Sequence, residues 1–165
     1  MYKAIAANKR NTVIIMAAFI GIISAIGYFF SVYFGNTSIT GFVIAGAAIY
    51  ALIQYFAASK LAVAMTGAQE IEKKDNPRLY RIVENLAITT GIPTPKVYLI
   101  DDPAPNAFAT GRDPKHAIVA ATTGILKLMD DRELEAVMAH ELGHVRNYDI
   151  RVSMIATGLV GRFGI

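Results

Sequence analysis

The chain has no cysteine and little charge, since only 18% of its 165 residues are Asp, Glu, Lys or Arg. The absence of cysteine excludes disulfide bonds and agrees with a reducing compartment. In ordinary soluble domains about a quarter of the residues are charged, whereas here 54% of the residues are hydrophobic. The composition therefore indicates a protein of modest size that places part of its surface in a lipid bilayer.

The longest uncharged segments lie near the N-terminus. Residues 12–34 and residues 39–59 contain no charged side chain, and each segment is long enough to cross a bilayer core as a helix. A signal peptide is the alternative for the first segment, but its apolar run is too long and a second run follows almost at once. We predict two transmembrane helices, and Gly41, Gly46 and Ala51 would allow them to approach each other closely.

The flanking charge predicts the orientation of this hairpin. The connection at residues 35–38 has no charge, whereas basic residues precede the first segment and follow the second: Lys3, Lys9, Arg10, Lys60, Lys73 and Lys74. By the positive-inside tendency, residues 1–11 and residues 60–149 lie in the cytoplasm. The net charge of +3 does not indicate nucleic-acid binding, because there is no dense basic patch and no nucleic-acid-binding motif.

Residues 60–149 have the pattern of an α+β domain. Residues 61–71 are expected to form an interfacial or continuing helix. A second helix is predicted from the cap residue Asn76 to Gly91, with Pro77 in its first turn. Short β-prone runs separated by Pro, Asp and Gly predict strands at residues 96–100, 106–110 and 116–121.

The next segment contains "HELGH" at residues 140–144. A helix is predicted from Asp130, because Glu133 follows at capping-box spacing. His140 and His144 then lie one turn apart on the same side of this helix, where both rings can reach one zinc ion at about 2.0–2.1 Å. Glu141 lies beside them, as the HExxH pattern requires.

A chance occurrence on an amphipathic helix is the alternative explanation of this motif. Two observations reduce its weight. The motif lies on a helix that is predicted independently, and two of the three histidines in the chain belong to it. We therefore predict a metal site, and His116, beside Lys115 at a strand start, is interpreted as a surface histidine.

Several motifs together are more diagnostic than HELGH alone. They are the N-terminal hairpin, "NPRLYRIVENLA" at residues 76–87, "PNAFATG" at 105–111, "ATTGIL" at 121–126 and "HELGHVRNYD" at 140–149. With these motifs the chain resembles the HtpX-like branch of the membrane-bound zinc metallopeptidases, a family that also contains the CAAX-prenyl proteases.

The resemblance implies a transmembrane hairpin followed by a partial zincin-like (gluzincin) domain with a small β-sheet. It implies a zinc-dependent endopeptidase with one Zn²⁺ per subunit, multi-pass in the cell inner membrane, with its catalytic domain facing the cytoplasm. The implied substrates are unfolded, misfolded or damaged membrane proteins, cleaved in envelope quality control and the stress response. It leaves the oligomeric state open.

The resemblance also implies roles for individual residues. His140 and His144 would be zinc ligands, and Glu141 would be the general base that deprotonates the attacking water. An edge strand would bind extended substrate through Asn106, Ala107, Phe108 and Ala109, although Asn106 could equally be a turn residue that opens the strand. Asn147 and Asp149 would orient the ligands by contacting them on the side that faces away from the metal, or else belong to a solvated turn.

A hydrolytic zinc site needs a third protein ligand. The resemblance implies a glutamate downstream of Ile165, after further membrane segments. Glu133 and Glu135 lie on the same helix as the histidines and cannot close the site, and the pair Asp101 and Asp102 is a remote candidate. Residues 150–165 have the pattern of the start of a third membrane segment, so we expect an N-terminal portion of a metalloprotease that is inactive as given.

Two alternatives remain. The first is a non-catalytic, membrane-anchored peptide-binding protein or inactive fragment, which zinc content and cleavage of casein would distinguish from the enzyme. The second is an intramembrane metalloprotease with the motif inside a spanning helix. The charged residues around the motif disfavour it: Asp130, Asp131, Arg132, Glu133, Glu135 and Arg146.

Overall fold

The computed structural model describes residues 2–160. In chain order the elements are α1 (Tyr2–Phe34), α2 (Ser38–Thr66), β1 (Gln69–Glu70), α3 (Pro77–Thr90), β2 (Lys96–Ile100), β3 (Ala107–Thr110), a 3-10 turn (Pro114–His116), β4 (Ile118–Thr122), α4 (Thr123–Leu128), α5 (Asp131–Asn147) and α6 (Asp149–Val160). The predicted α+β class, with a helical hairpin followed by a small sheet, is confirmed.

Helices α1 and α2 form the predicted hairpin and are longer than predicted. Both are long and apolar enough to cross a membrane, and many of their large apolar side chains are exposed. The prediction of a helix at residues 61–71 is wrong beyond Thr66, where α2 ends. Gly67 takes a left-handed conformation, with φ of 66°, that ends α2, and β1 then pairs antiparallel with β2.

The close approach of α1 and α2 occurs at Gly27. A Cβ atom on Gly27 would lie 2.7 Å from Cγ1 of Val43. Ala51 is buried as expected, at 2% exposure. The expectation for Gly41 and Gly46 is wrong, because a Cβ atom at either position would meet nothing within 4 Å.

The sheet has four strands in the order β1-β2-β4-β3. Strands β2 and β4 are parallel, and β3 pairs antiparallel with β4 at the edge. Strand β2 has its predicted bounds, whereas β3 starts at Ala107 rather than at Asn106. Strand β4 runs over Ile118–Thr122 because His116 belongs to the preceding 3-10 turn.

The core lies between this sheet and helices α3 and α5. It is formed by fully buried apolar side chains, including Leu79, Val83, Val97, Val119, Leu134, Met138 and Leu142. The predicted start signals are confirmed. The Asn76 side chain accepts a hydrogen bond from the Leu79 N–H, and Asp130 and Glu133 form a reciprocal capping box at the start of α5.

Arg78 of α3 holds the N-terminal end of α5 in place. Its Nε atom lies 2.6 Å from an Asp131 carboxylate oxygen. Its two terminal nitrogens donate to the carbonyls of Leu126 and Met129, each at 2.6 Å. One planar guanidinium therefore joins α3 to the end of α4, a helix that was not predicted, and to the start of the histidine-bearing helix.

Helix α6 returns the chain to the hairpin. Its Met154 and Ile155 side chains pack with Ala58 of α2 in a small buried cluster to which Ile15 of α1 contributes. The part of the predicted third membrane segment at residues 161–165 lies outside the described residues. Helix α6 therefore links the end of α5 directly to both long apolar helices.

We predict that Gly27→Ala destabilises the hairpin. The added methyl would overlap Val43, and overpacking of this kind costs about 1–3 kcal/mol. The unfolding temperature of the detergent-solubilised protein should fall. Gly21→Ala is the matched control, because a Cβ atom at Gly21 meets nothing within 4 Å; equal unfolding temperatures for both variants would contradict the packing.

Candidate metal and peptide-binding site

Helix α5 has one buried face and one face that is turned toward solvent. Leu134, Met138, Leu142 and Val145 recur at helical spacing and are fully buried. His140 is exposed, and the His144 side chain is 43% exposed. The packing of the apolar side chains therefore turns both histidines toward solvent and leaves them accessible to an ion.

The two imidazole rings converge. The Nε2 atoms of His140 and His144 lie 3.3 Å apart, and the rings are nearly perpendicular, at 83°. Two nitrogens bound to one tetrahedral zinc ion at about 2.0–2.1 Å would be separated by roughly 3.3 Å. The spacing and chemistry of this donor pair fit two ligands of one zinc ion.

The back of the His144 ring contacts a carboxylate. Its Nδ1 atom lies 3.1 Å from Oδ2 of Asp149, the first residue of α6. Tyr148 separates α5 from α6 and has a left-handed backbone with φ of 65°, and this turn brings Asp149 back beneath the ring. A carboxylate on Nδ1 favours the tautomer with its proton on Nδ1, which leaves the Nε2 lone pair toward the site.

Positive charge surrounds the turn at Tyr148. The Lys9 ammonium lies 4.7 Å from the centre of the Tyr148 ring, and the Arg151 guanidinium lies 5.0 Å from it. Cations at these distances are attracted to the face of an aromatic ring. The turn is thus held between α1 and α6.

Glu141 contacts the edge strand. Its Oε2 atom accepts a hydrogen bond from the Ala109 N–H at 3.1 Å. The histidine pair, the glutamate and strand β3 therefore form one continuous surface.

Within residues 2–160, strand β3 has one edge, its free edge, that pairs with no other strand. The N–H of Asn106, just before the strand, donates to the Thr122 hydroxyl, and its C=O accepts from the Thr122 N–H, both at 2.9 Å. Because backbone groups alternate along a strand, those of Ala107 and Ala109 point away from β4. The contact between Ala109 and Glu141 agrees with this alternation, so an extended peptide could pair with β3 beside the histidines.

The remaining residues singled out from the sequence lie elsewhere or act differently. Asn147 contributes its backbone carbonyl, which accepts a hydrogen bond from Asn8. Glu133 is engaged in the capping box, and Asp102 accepts a hydrogen bond from the Ala104 N–H in a loop. Across residues 2–160, no group of three His, Asp or Glu side chains is arranged to hold one metal ion.

His116 makes its own contacts at the 3-10 turn and is exposed, as predicted. Its Nδ1 atom lies 2.7 Å from an Asp113 carboxylate oxygen. Burial raises the pKa of Asp113, but the hydrogen bond and the charge of His116 outweigh that effect, and the net pKa of the carboxyl is lowered. His116 therefore forms a local pair at the 3-10 turn.

Sequence reasoning missed Asn8. Its side chain, on the first turns of α1, donates to Asp149, which contacts His144. No sequence signal points to this contact, because the two partners are more than a hundred positions apart and Asn8 belongs to no motif.

Comparison with protein families gives one match that covers more than half of the chain. Residues 73–164 match the model of peptidase family M48. The matched segment contains strands β2, β3 and β4, the histidine-bearing helix and α6.

Individual relatives match along nearly the entire chain. A "Protease HtpX homolog" from Tropheryma whipplei (strain Twist) is 57% identical over 165 residues, which is 100% of this chain and 56% of that protein. Homologs with the same name from Lactobacillus acidophilus and Streptococcus pneumoniae are 48% and 46% identical over 98% and 97% of this chain. The chain spans about half the length of these curated relatives, since it covers 56%, 55% and 54% of them.

We predict that Thr122→Val loosens the start of β3. The buried Thr122 hydroxyl accepts from the Asn106 N–H at 2.9 Å and donates to the Ala104 carbonyl at 2.7 Å. Leaving these groups unpaired costs about 1–3 kcal/mol. The unfolding temperature should fall, and hydrogen exchange at the Asn106 amide should accelerate. Thr89→Val, at an exposed helix position, is the control; unchanged exchange at Asn106 would contradict the assignment.

Proposed function

The chain belongs to peptidase family M48, and from this premise we propose that it supplies the membrane anchor and the HExxH helix of a zinc-dependent endopeptidase. One observation carries the proposal. The Nε2 atoms of His140 and His144 converge at 3.3 Å, and Glu141, beside them, contacts the free edge of β3. A metal position, a proton acceptor and a peptide-binding edge thus lie together.

His140 and His144 would hold the zinc ion, with the Asp149 carboxylate orienting the His144 ring. A zinc ion held there would polarise a peptide carbonyl and increase the acidity of water. We propose that the Glu141 carboxylate accepts a proton from the attacking water and passes it to the leaving amine, as a general base and then a general acid. Its contact with the Ala109 N–H would place this carboxylate beside a peptide bound along β3.

Substrate would bind as an added strand along β3. The backbone groups of Ala107 and the carbonyl of Ala109 would pair with an extended peptide, since the Ala109 N–H donates to Glu141. Recognition would then depend on main-chain hydrogen bonds rather than on particular side chains. An unfolded segment presents its backbone in this way. We therefore propose unfolded or damaged proteins as the substrate class, with Asn106 just before the binding strand and Phe108 between its two alanines.

The hairpin would anchor this site at a membrane. Exposed apolar side chains along α1 and α2 support insertion, and the basic residues at the outer ends of both helices favour a cytoplasmic site. We propose a multi-pass protein of the cell membrane that cleaves misfolded membrane proteins in envelope quality control and the stress response.

We predict that Glu141→Gln separates metal binding from turnover in the full-length gene product. Glutamine cannot accept the proton, so casein cleavage should fall by about 10²–10⁴-fold while the zinc content stays unchanged. His140→Ala and His144→Ala should lose both zinc and cleavage, because each removes a ligand. Zinc analysis and a casein-cleavage assay measure the two properties.

These variants also separate the alternatives. Substantial cleavage by Glu141→Gln would show that another group is the base. Absence of both zinc and cleavage in the unaltered protein would favour a non-catalytic peptide-binding protein. Glu135→Gln, at an exposed position on the same helix, is the control and should cleave normally.

We predict the topology from the distribution of basic residues. A reporter fused after Lys74 should report the cytoplasm, and one inserted between Asn36 and Thr37 should report the outside of the membrane. Paired alkaline phosphatase and fluorescent-protein fusions provide the measurement. Reversed signals at both positions would refute the proposed orientation.

A further inference from the structure

We propose that Asn8 is a positioning residue for the metal ligand His144 and acts through Asp149. This inference rests on the proposed zinc site and adds a residue from the first long apolar helix to it. Asn8 lies four positions before the start of the uncharged segment at residues 12–34. The ligand set would therefore depend on how this helix is seated against the rest of the protein.

The side-chain amide of Asn8 donates to two acceptors, one at the end of α5 and one at the start of α6. Its Nδ2 atom donates to the Asn147 carbonyl at 2.9 Å and to the Oδ1 atom of Asp149. The Asn147 carbonyl belongs to the last turn of α5, where carbonyls lack a partner within the helix. Asn8 thus supplies a hydrogen bond that α5 cannot make for itself, and it holds one oxygen of the neighbouring carboxylate.

The second oxygen of Asp149 is directed at His144. Its Oδ2 atom lies 3.1 Å from the Nδ1 atom of the ring. A carboxylate held at Oδ1 cannot rotate freely about its own axis, so Oδ2 stays directed at the imidazole. This arrangement keeps the Nε2 atom of His144 facing His140, 3.3 Å away.

The surroundings keep Asn8 in position. The Thr12 hydroxyl, on the next turn, donates to the Asn8 carbonyl at 3.0 Å, and Thr12 is 3% exposed. The neighbouring Lys9 ammonium lies over the Tyr148 ring. Helix α6 packs against α1 through Met154 and Ile155, so the contact lies where helices α1, α5 and α6 meet.

A purely structural role for Asn8 would be to attach α1 to the end of α5. The two roles predict different results. A structural attachment would affect zinc affinity equally whether or not Asp149 is present. A positioning role requires Asp149, so that removing Asn8 has no further effect on zinc affinity once the carboxylate has gone.

The experiment is a zinc titration of the complete gene product in detergent, with a chromophoric chelator as competitor. Residues that directly support a ligand typically change metal affinity by about 10–100-fold, which we expect for Asp149→Ala. Asn8 reaches the ligand His144 only through its hydrogen bond to Asp149. Asn8→Ala should therefore weaken zinc binding less, by about 3–10-fold. Asn11→Ala, at an exposed position one turn along α1, is the matched control and should bind zinc normally.

The double variant Asn8→Ala/Asp149→Ala completes the cycle. We expect its zinc affinity to equal that of Asp149→Ala alone. Normal zinc binding by Asn8→Ala, or the same loss from Asn8→Ala in both backgrounds, would overturn the inference. If His140→Ala also bound zinc normally, the proposed zinc site itself would fail, which distinguishes the two outcomes.

Asn8→Asp guards against a folding defect in the alanine variant. It conserves the size of the side chain but faces Asp149 with an oxygen instead of a donor, so zinc affinity should fall at least as far as in Asn8→Ala. Wild-type affinity in a folded Asn8→Asp protein would contradict the proposal.

Discussion

The burial of one face of α5 is the interaction on which the site depends. Leu134, Met138, Leu142 and Val145 are enclosed by α3 and the sheet. Turning the helix to bury the histidines would expose these side chains, at a cost of about 1.5–3 kcal/mol for each large one. The core therefore determines which face of α5 carries His140 and His144, and Arg78 holds the start of the helix against α3 and α4.

The edge position of β3 gives the site its second part. Strand β4 uses one side of β3 for pairing, and the other side faces Glu141. Exposed backbone groups at a sheet edge are a general means of binding extended chains. In this protein the Ala109 N–H donates to the Glu141 carboxylate. The fold therefore places the proposed proton acceptor next to the proposed peptide-binding edge.

The turn at Tyr148 connects the site to the long apolar helices. Because a single residue in the left-handed region separates α5 from α6, α6 starts beneath His144 and then packs against the hairpin. Asn8 approaches the same turn from α1. The proposed metal ligands and the proposed membrane anchor are therefore neighbours, although they are far apart in the sequence.

What the sequence determined by itself was local. The caps at Asn76 and Asp130 and the four-residue spacing of the histidines depend on contacts within about one helical turn, and the long apolar runs follow from composition. Tertiary structure decided the strand order, the end of α2 at Thr66, the approach of Gly27 to Val43 and the contact of Asn8 with Asp149. These features depend on side chains that meet only after distant segments pack together, and no local pattern along the chain encodes which pairs will meet.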